Sequence, residues 1–282
     1  MSSRPDLPHG PVEISTGTAE FLSDDYRPGS YILQVNGVPS SHFVPGDPSV
    51  LEFEYMRWIA SAVVSLVDAR FDPRSISMTH LGGAGCTLPK YFADRWPKSR
   101  HSVVEIDARL AELVRTHCEV PSSPTVKIRV GDAIEVARGF KPATRDVLIR
   151  DVFSGSVTPR PLTTVEFFTE VATSLRPHGF YVANCGSHSD LAEVRAELAG
   201  MQEAFAHCAA IADPAMLKGR RYGNVILIGS QDPIEFGPEV TRELLGGAVP
   251  AHVATPSWIR SMTTASARRF RADDPAGKPA AG

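Results

Sequence analysis

Ile76-Ser77-Met78-Thr79-His80-Leu81-Gly82-Gly83-Ala84-Gly85 runs from an apolar, strand-like stretch straight into a glycine turn, and Leu88 to Trp96 follows with helical periodicity. A strand that ends on glycines and opens a helix lets a ligand approach backbone N–H groups with no side chain in the way. By itself such a turn also serves tight packing. The fold is decided by the repetition of this rhythm. Strands are expected at Ile76–Leu81, Ser102–Ile106, Val126–Val130, Asp146–Asp151, Phe180–Asn184 and Asn224–Ile228, with helices at Leu88–Trp96, Ala108–Cys118, Ala133–Arg138, Thr164–Leu175 and Leu191–Phe205 between them. Strands alternating with helices of this length make an α/β domain, a mostly parallel, doubly wound Rossmann-like sheet covered on both faces. Ligands of such sheets bind beyond the carboxyl ends of the strands.

Those ends carry chemistry suited to a nucleoside. After Gly82-Gly83, the second strand finishes Val103-Val104-Glu105-Ile106-Asp107. Glu105 therefore stands about 20 residues beyond the glycines, where dinucleotide-type folds hold ribose hydroxyls. Asp107 is better read as the N-cap of the next helix. The third strand ends Gly131-Asp132-Ala133, and Asp132 can accept from an exocyclic adenine amine. Asp132 and Glu135 also have capping-box spacing, so both readings stand. The fourth ends Arg150-Asp151-Val152-Phe153-Ser154-Gly155, where a partly buried Asp151 can orient or deprotonate an attacking group. Thr163 and Glu166 read as a capping box that starts the following helix.

Composition narrows the partners. The 282 residues are 43% hydrophobic and 22% charged, with a formal net charge of −3. A nucleic acid or an anionic membrane would usually require a basic face, so a small molecule is the expected partner. The apolar run Trp58–Val67 is half the ~20 residues a spanning helix needs, and no secretory signal precedes it; a cytoplasmic protein is expected. Cys86, Cys118, Cys185 and Cys208 show neither paired nor metal-ligand spacing, so no metal is expected and the thiols read as reduced core groups. His80, His188 and the Lys218, Arg220, Arg221 run are more simply polar contacts and a solvated loop than site residues.

The chain before the glycine turn divides in two. Tyr31–Val35 followed by Asn36-Gly37 signals a hairpin in a small antiparallel sheet, and Leu51–Val67 has helical spacing closed by Asp72-Pro73. The expected organisation is a flexible N-terminus (1–10), a small β domain (11–50), the nucleoside-binding domain (51–260) and a tail (261–282), its Pro/Gly/Ala-rich end disordered.

A dinucleotide fingerprint needs a third glycine, where Leu88 stands, and no Gly-Lys-Ser/Thr follows for a phosphate loop. Adenosine carriers without a pyrophosphate remain, chiefly those built on S-adenosylmethionine. Here the chain resembles the spermidine synthase (polyamine aminopropyltransferase) family over about Ser30 to Pro233. The likeness rests on Leu33-Gln34-Val35-Asn36-Gly37-Val38, Glu52-Phe53-Glu54-Tyr55, Gly82-Gly83-Ala84-Gly85, Glu105-Ile106-Asp107, Gly131-Asp132-Ala133, Asp151 in its loop, and Tyr222-Gly223-Asn224. It implies a small β domain on a class I methyltransferase fold, a homodimer, and decarboxylated S-adenosylmethionine as the donor of an aminopropyl group to putrescine or a related amine. It assigns the donor to Gly82, Gly83, Gly85, Glu105, Asp132 and Ala133, catalysis to Asp151 as base, and the amine channel to Tyr55 and Ser154.

The departures lie on the amine side. The family's Gly-Gly-Gly-Asp-Gly reads Gly82-Gly83-Ala84-Gly85-Cys86, so the Asp that holds the aminopropyl amine is replaced by Gly85; Tyr-His/Gln-Glu reads Tyr55-Met56-Arg57; the second Asp of its loop is lost, with Ser154 there; and its Gln corresponds to Ser40. Deprotonating an amine of lysine-like pKa at neutral pH costs about 4 kcal/mol, and anions along a channel help bind the polycation and receive its proton. This chain keeps the base and lacks several of those anions. A methyltransferase using S-adenosylmethionine itself is the alternative, with Gly85 making room for a donor carboxylate; a non-catalytic nucleoside-binding homologue is a third reading.

Overall fold

The computed structural model describes residues 7–155 and 157–274. The expected flexible N-terminus and disordered end fall largely on residues 1–6 and 275–282, which lie outside the described residues. Four strands come first: β1 (Val12–Ile14), β2 (Gly17–Ser23), β3 (Tyr31–Val35) and β4 (Val38–Phe43) form an antiparallel sheet in that order. Asn36 and Gly37 both take positive φ, 53° and 78°, the conformation that a two-residue hairpin turn needs. The β3–β4 register slips at Leu33/Gln34, so Leu33 faces Ser41 and Gln34 faces Pro39, and Ser40 is left out of the pairing.

Then come α1 (Glu54–Arg70), β5 (Ser77–Leu81), α2 (Thr87–Arg95), β6 (Arg100–Glu105), α3 (Ala108–His117), β7 (Val126–Val130), α4 (Ala133–Arg138) and β8 (Arg145–Arg150). They continue through α5 (Val165–Ser174), β9 (Leu175–Ser187), α6 (Ala192–Ala204), β10 (His207–Ala212), α7 (Pro214–Leu217), β11 (Gly223–Ser230), α8 (Pro238–Leu245), β12 (His252–Val253) and α9 (Pro256–Met262). The large sheet has the order β12-β10-β11-β9-β8-β5-β6-β7. Strands β7, β6, β5, β8 and β9 are parallel, whereas β11 pairs antiparallel to β9, and β10 to β11. Insertion of the antiparallel β11 between β9 and β10 is the Rossmann-like methyltransferase topology.

Val, Ile and Phe fill both faces of the central strands, and Val147, Leu148, Ile149, Phe180 and Val182 are buried completely or nearly so. Strand β10 was not legible in the sequence: His207-Cys-Ala-Ala-Ile-Ala212 has little β propensity, and pairing with β11 over five residues makes it a strand. The four-stranded sheet shares its core with the large one. Phe21, Leu33 and Phe43 join Val103, Leu110, Val114 and Ile128 in one buried cluster, each large side chain contributing ~2 kcal/mol. The tail after α9 is packed as far as it is described. Val165 N donates to Phe270 O at 2.9 Å, and the Arg160 guanidinium lies over the Phe270 ring.

One local expectation is corrected. The cap of α5 is Thr164, whose Oγ1 accepts from Phe167 N at 3.2 Å, while Thr163 Oγ1 donates to the Arg160 carbonyl and Glu166 accepts from Ala272 N. The turn Arg160–Thr163 shifts the helix start by one residue, and the tail claims the carboxylate that would have closed a capping box.

Candidate active site

Strands β5 and β8 are parallel neighbours with Leu81 opposite Arg150, so Gly82 and Asp151 leave the sheet side by side. Asp151 N donates to Leu81 O at 2.8 Å. Gly82 has φ +89°, and any Cβ there would overlap the Asp151 carbonyl. Only glycine satisfies both conditions. The glycine turn thus seats the Asp151 backbone as well as leaving space for a ligand.

Two side chains then fix the Asp151 carboxylate. Tyr55, in the first turn of α1, donates its hydroxyl to Oδ2 at 3.1 Å; Asn184, near the end of β9, donates Nδ2 to Oδ1 at 3.0 Å. Burial pushes the Asp151 carboxyl above its ordinary value, while the Asn184 and Tyr55 donors and the Arg150 guanidinium pull the other way. Burial and the adjacent Asp151 push the Tyr55 phenol well up, so it remains a donor. Asn184 Oδ1 is buried with no hydrogen-bond partner, an acceptor beside a carboxylate. Together they form a constellation suited to holding and deprotonating an N–H donor.

At the end of β6, Glu105 Oε2 accepts from Gly83 N and Ala84 N, both at 3.1 Å, and Oε1 accepts from Asp107 N at 3.0 Å. Three of its roughly four acceptor positions are thus taken by backbone N–H groups. The fourth can take a hydroxyl, so the arrangement is compatible with ribose beside the glycines. Asp107 caps α3 through Leu110 N, 2.8 Å, and also accepts from Ser15 N, Thr16 N and Thr16 Oγ1. Asp132 caps α4, accepting from Ile134 N at 2.7 Å; Glu135 pairs with Arg138 at 2.6 Å instead of closing a capping box. Ala133, the first residue of α4, is buried.

The positions that depart from the family pattern are resolved one by one. Gly85 N donates to Ser41 Oγ at 2.8 Å, and a Cβ added at Gly85 would sit 2.7 Å from Ser41 Cβ. The four-stranded sheet fills that place, so the expected room for a donor carboxylate at Gly85 is not there. Met56 is buried in the main core and Arg57 binds the carbonyls of Leu51 and Glu52. Ser40 Oγ is turned onto the Val38 carbonyl. Ser154 is exposed, its N–H and carbonyl paired with Val157.

Sequence reasoning missed Asn184 and Arg150. The signal was available, since a polar residue inside an apolar strand next to its C-terminal end calls for a partner. His80 and His101 are a buried pair, Nε2 to Nδ1 at 3.1 Å, leading to Ser99 Oγ. The thiols of Cys86 and Cys208 are pushed up to about 12 by burial, and that of Cys118 to about 11, which leaves none of these three nucleophilic. A cavity of about 310 Å³ bordered by Phe43, Thr87, Lys90 and Glu119 includes none of Gly82, Glu105, Asp132 and Asp151. Among the described residues no cluster of three or more potential metal ligands occurs, and no helix is long and apolar enough to cross a membrane.

The strand order, with acids at the parallel strand ends, defines a Rossmann-like fold of the class I methyltransferase type. A probable spermidine synthase from Corynebacterium glutamicum ATCC 13032 has a solved structure 49% identical to this chain, covering 97% of this chain and 99% of that one at a TM-score of 0.89. The chain belongs to the spermidine synthase, or polyamine aminopropyltransferase, family. Polyamine aminopropyltransferase of Vibrio vulnificus (strain CMCP6) is 29% identical over 141 residues, 49% of this chain and 45% of that protein, so the match spans less than half of that relative's length. Human Methyltransferase-like protein 13, solved in complex with SAH, is 21% identical at a TM-score of 0.55, covering 68% of this chain and 89% of that one; this likeness shows the fold alone. No family model matches the chain.

Proposed function

We propose that the protein transfers an aminopropyl group from decarboxylated S-adenosylmethionine to an amine. The observation that carries this reading is the Asp151 carboxylate, partly desolvated and held by Tyr55 and Asn184 beside Gly82. In this reading Gly82, Gly83, Glu105, Asp132 and Ala133 surround the donor, with Glu105 on the ribose and Asp132 on the adenine, while Gly85, expected there from the sequence, gives its N–H to Ser41 and does not take part. The amine gives a proton to Asp151, its nitrogen attacks the carbon beside the sulfonium, and the carbon–sulfur bond breaks in line, leaving both electrons on sulfur as a neutral thioether. Tyr55 and the Asn184 amide hold the Asp151 carboxylate in place for the amine, and Ser154 stands at the outer rim.

The acceptor carries fewer positive charges than the polyamines that an acidic channel holds, because the departing positions on its side add no anion: Met56 lies in the core and Ser154 is uncharged. A homodimer in the cytoplasm completes this reading. Incubation with decarboxylated S-adenosylmethionine and a panel of mono- and diamines, read by mass spectrometry, tests it. Methylthioadenosine with an aminopropylated amine is expected. S-adenosylhomocysteine formed from S-adenosylmethionine would instead identify a methyltransferase.

A further inference from the structure

Directly before Asp151, at the end of an otherwise apolar strand, stands Arg150, with no exposed surface. Its Nη1 donates to Leu162 O at 2.8 Å, its Nη2 to Asn184 O at 3.1 Å, and Nη2 lies 2.8 Å from Glu197 Oε2 on α6. Glu197 is 2% exposed, so both charges of the pair are out of water. One guanidinium therefore touches three elements: the turn that follows the Asp151 loop, the backbone of the residue whose side chain donates to Asp151, and α6.

Stability alone is a poor reason for such a pair, since hydrophobic residues of similar volume often hold a fold as well or better. The planar fork of arginine, with separate Nη groups, can address several acceptors at fixed angles where a lysine ammonium cannot. We infer that Arg150, neutralised by Glu197, is a positioning residue for Asp151, tying Leu162 and the Asn184 backbone to the strand end so that the Asn184 amide meets the Asp151 carboxylate. Its positive charge also favours the ionised form of Asp151. The inference rests on the reading of Asp151 as base only for its kinetic consequence; the tethering is a property of the fold.

The test compares the wild type with Arg150→Met/Glu197→Met, which removes both charges and keeps volume, and with Arg150→Lys, which keeps the charge and loses the fork. Three quantities are read: thermal midpoint, hydrogen exchange of peptides covering residues 157–163 and 182–187, and kcat against donor KM. For the double variant the expected result is a midpoint within a few degrees of wild type, exchange at 157–163 at least tenfold faster, and kcat at least tenfold lower with donor KM within twofold. Arg150→Lys is expected to show the same acceleration and no rescue of kcat. Wild-type exchange and kcat in a folded double variant would overturn the inference and leave the pair merely structural. If the double variant does not fold, unchanged exchange in Arg150→Lys overturns it equally. Absence of product from the wild type itself counts against the proposed activity, while the exchange comparison still decides the tether.

Discussion

The backbone N–H of Gly85 donates to Ser41 Oγ at 2.8 Å, and a Cβ at Gly85 would lie 2.7 Å from Ser41 Cβ. The place where the family pattern puts an amine-holding carboxylate is thus occupied by the edge of another sheet. Gly85→Ala is expected to destabilise by about 1–3 kcal/mol through overpacking, and Gly85→Asp by more, without tighter binding of decarboxylated S-adenosylmethionine. Urea unfolding and calorimetric titration check both. A stable Gly85→Asp variant with improved affinity for that donor would contradict the tight packing at Ser41.

Asp151→Asn is expected to lower transfer at least a hundredfold, with donor affinity within about twofold, measured by turnover and calorimetry. Tyr55→Phe and Asn184→Ala each remove a donor that favours the ionised carboxylate. Both should shift the Asp151-dependent rising limb of the pH–rate profile to higher pH. A limb that stays in place or moves down would exclude Asp151 as the titrating group.

His80 and His101 are buried and neutral, and burial holds the His101 imidazole down to about 4 and that of His80 well below its ordinary value. Between pH about 4 and the ordinary 6.5 of an unfolded histidine, the unfolded chain binds more protons than the folded one, so stability rises with pH across that window. Acidification from pH 6.5 to 4 should remove about 3 kcal/mol through His101 alone. Unfolding free energies at a series of pH values measure it, and His80→Leu/His101→Leu should flatten the curve.

Asp107 joins the β1–β2 turn to α3. Burial pushes its carboxyl up, but the N–H of Leu110, the Thr16 hydroxyl and the N–H groups of Ser15 and Thr16 outweigh it and bring it to about 2. Its folded value is depressed, so the stability it contributes is complete above the ordinary 3.8 and is lost as pH falls from there toward about 2. Asp107→Ala should cost about 2–4 kcal/mol at neutral pH through the lost cap and charge-assisted bonds. Faster amide exchange in β1 would locate the loss, and an unchanged unfolding midpoint would refute it.

Of the four cysteines, Cys86, Cys118 and Cys185 are buried and Cys208 is partly so. Burial also pushes the Cys185 thiol well above its ordinary value. At pH 8 none should react with a disulfide reagent on the timescale of a free thiol, whereas all four react in denaturant. A native thiol reacting at the free rate would show an exposed thiolate that the fold does not display.

The parallel half of the sheet is legible in the amino-acid sequence, because apolar strands, glycine turns and helix caps are local signals within a few residues. Gly82, Glu105, Asp107 and Asp151 are legible for the same reason, since each ends or follows such a strand. What those residues meet depends on the packing of distant elements. Strand β10 exists because β11 pairs with it; Asn184 reaches Asp151 because β9 and β8 are neighbours; Gly85 is closed because a bulge at Leu33/Gln34 turns Ser41 toward it. These contacts depend on which strands become neighbours, and no spacing along the chain encodes which side chain the neighbouring strand will bring.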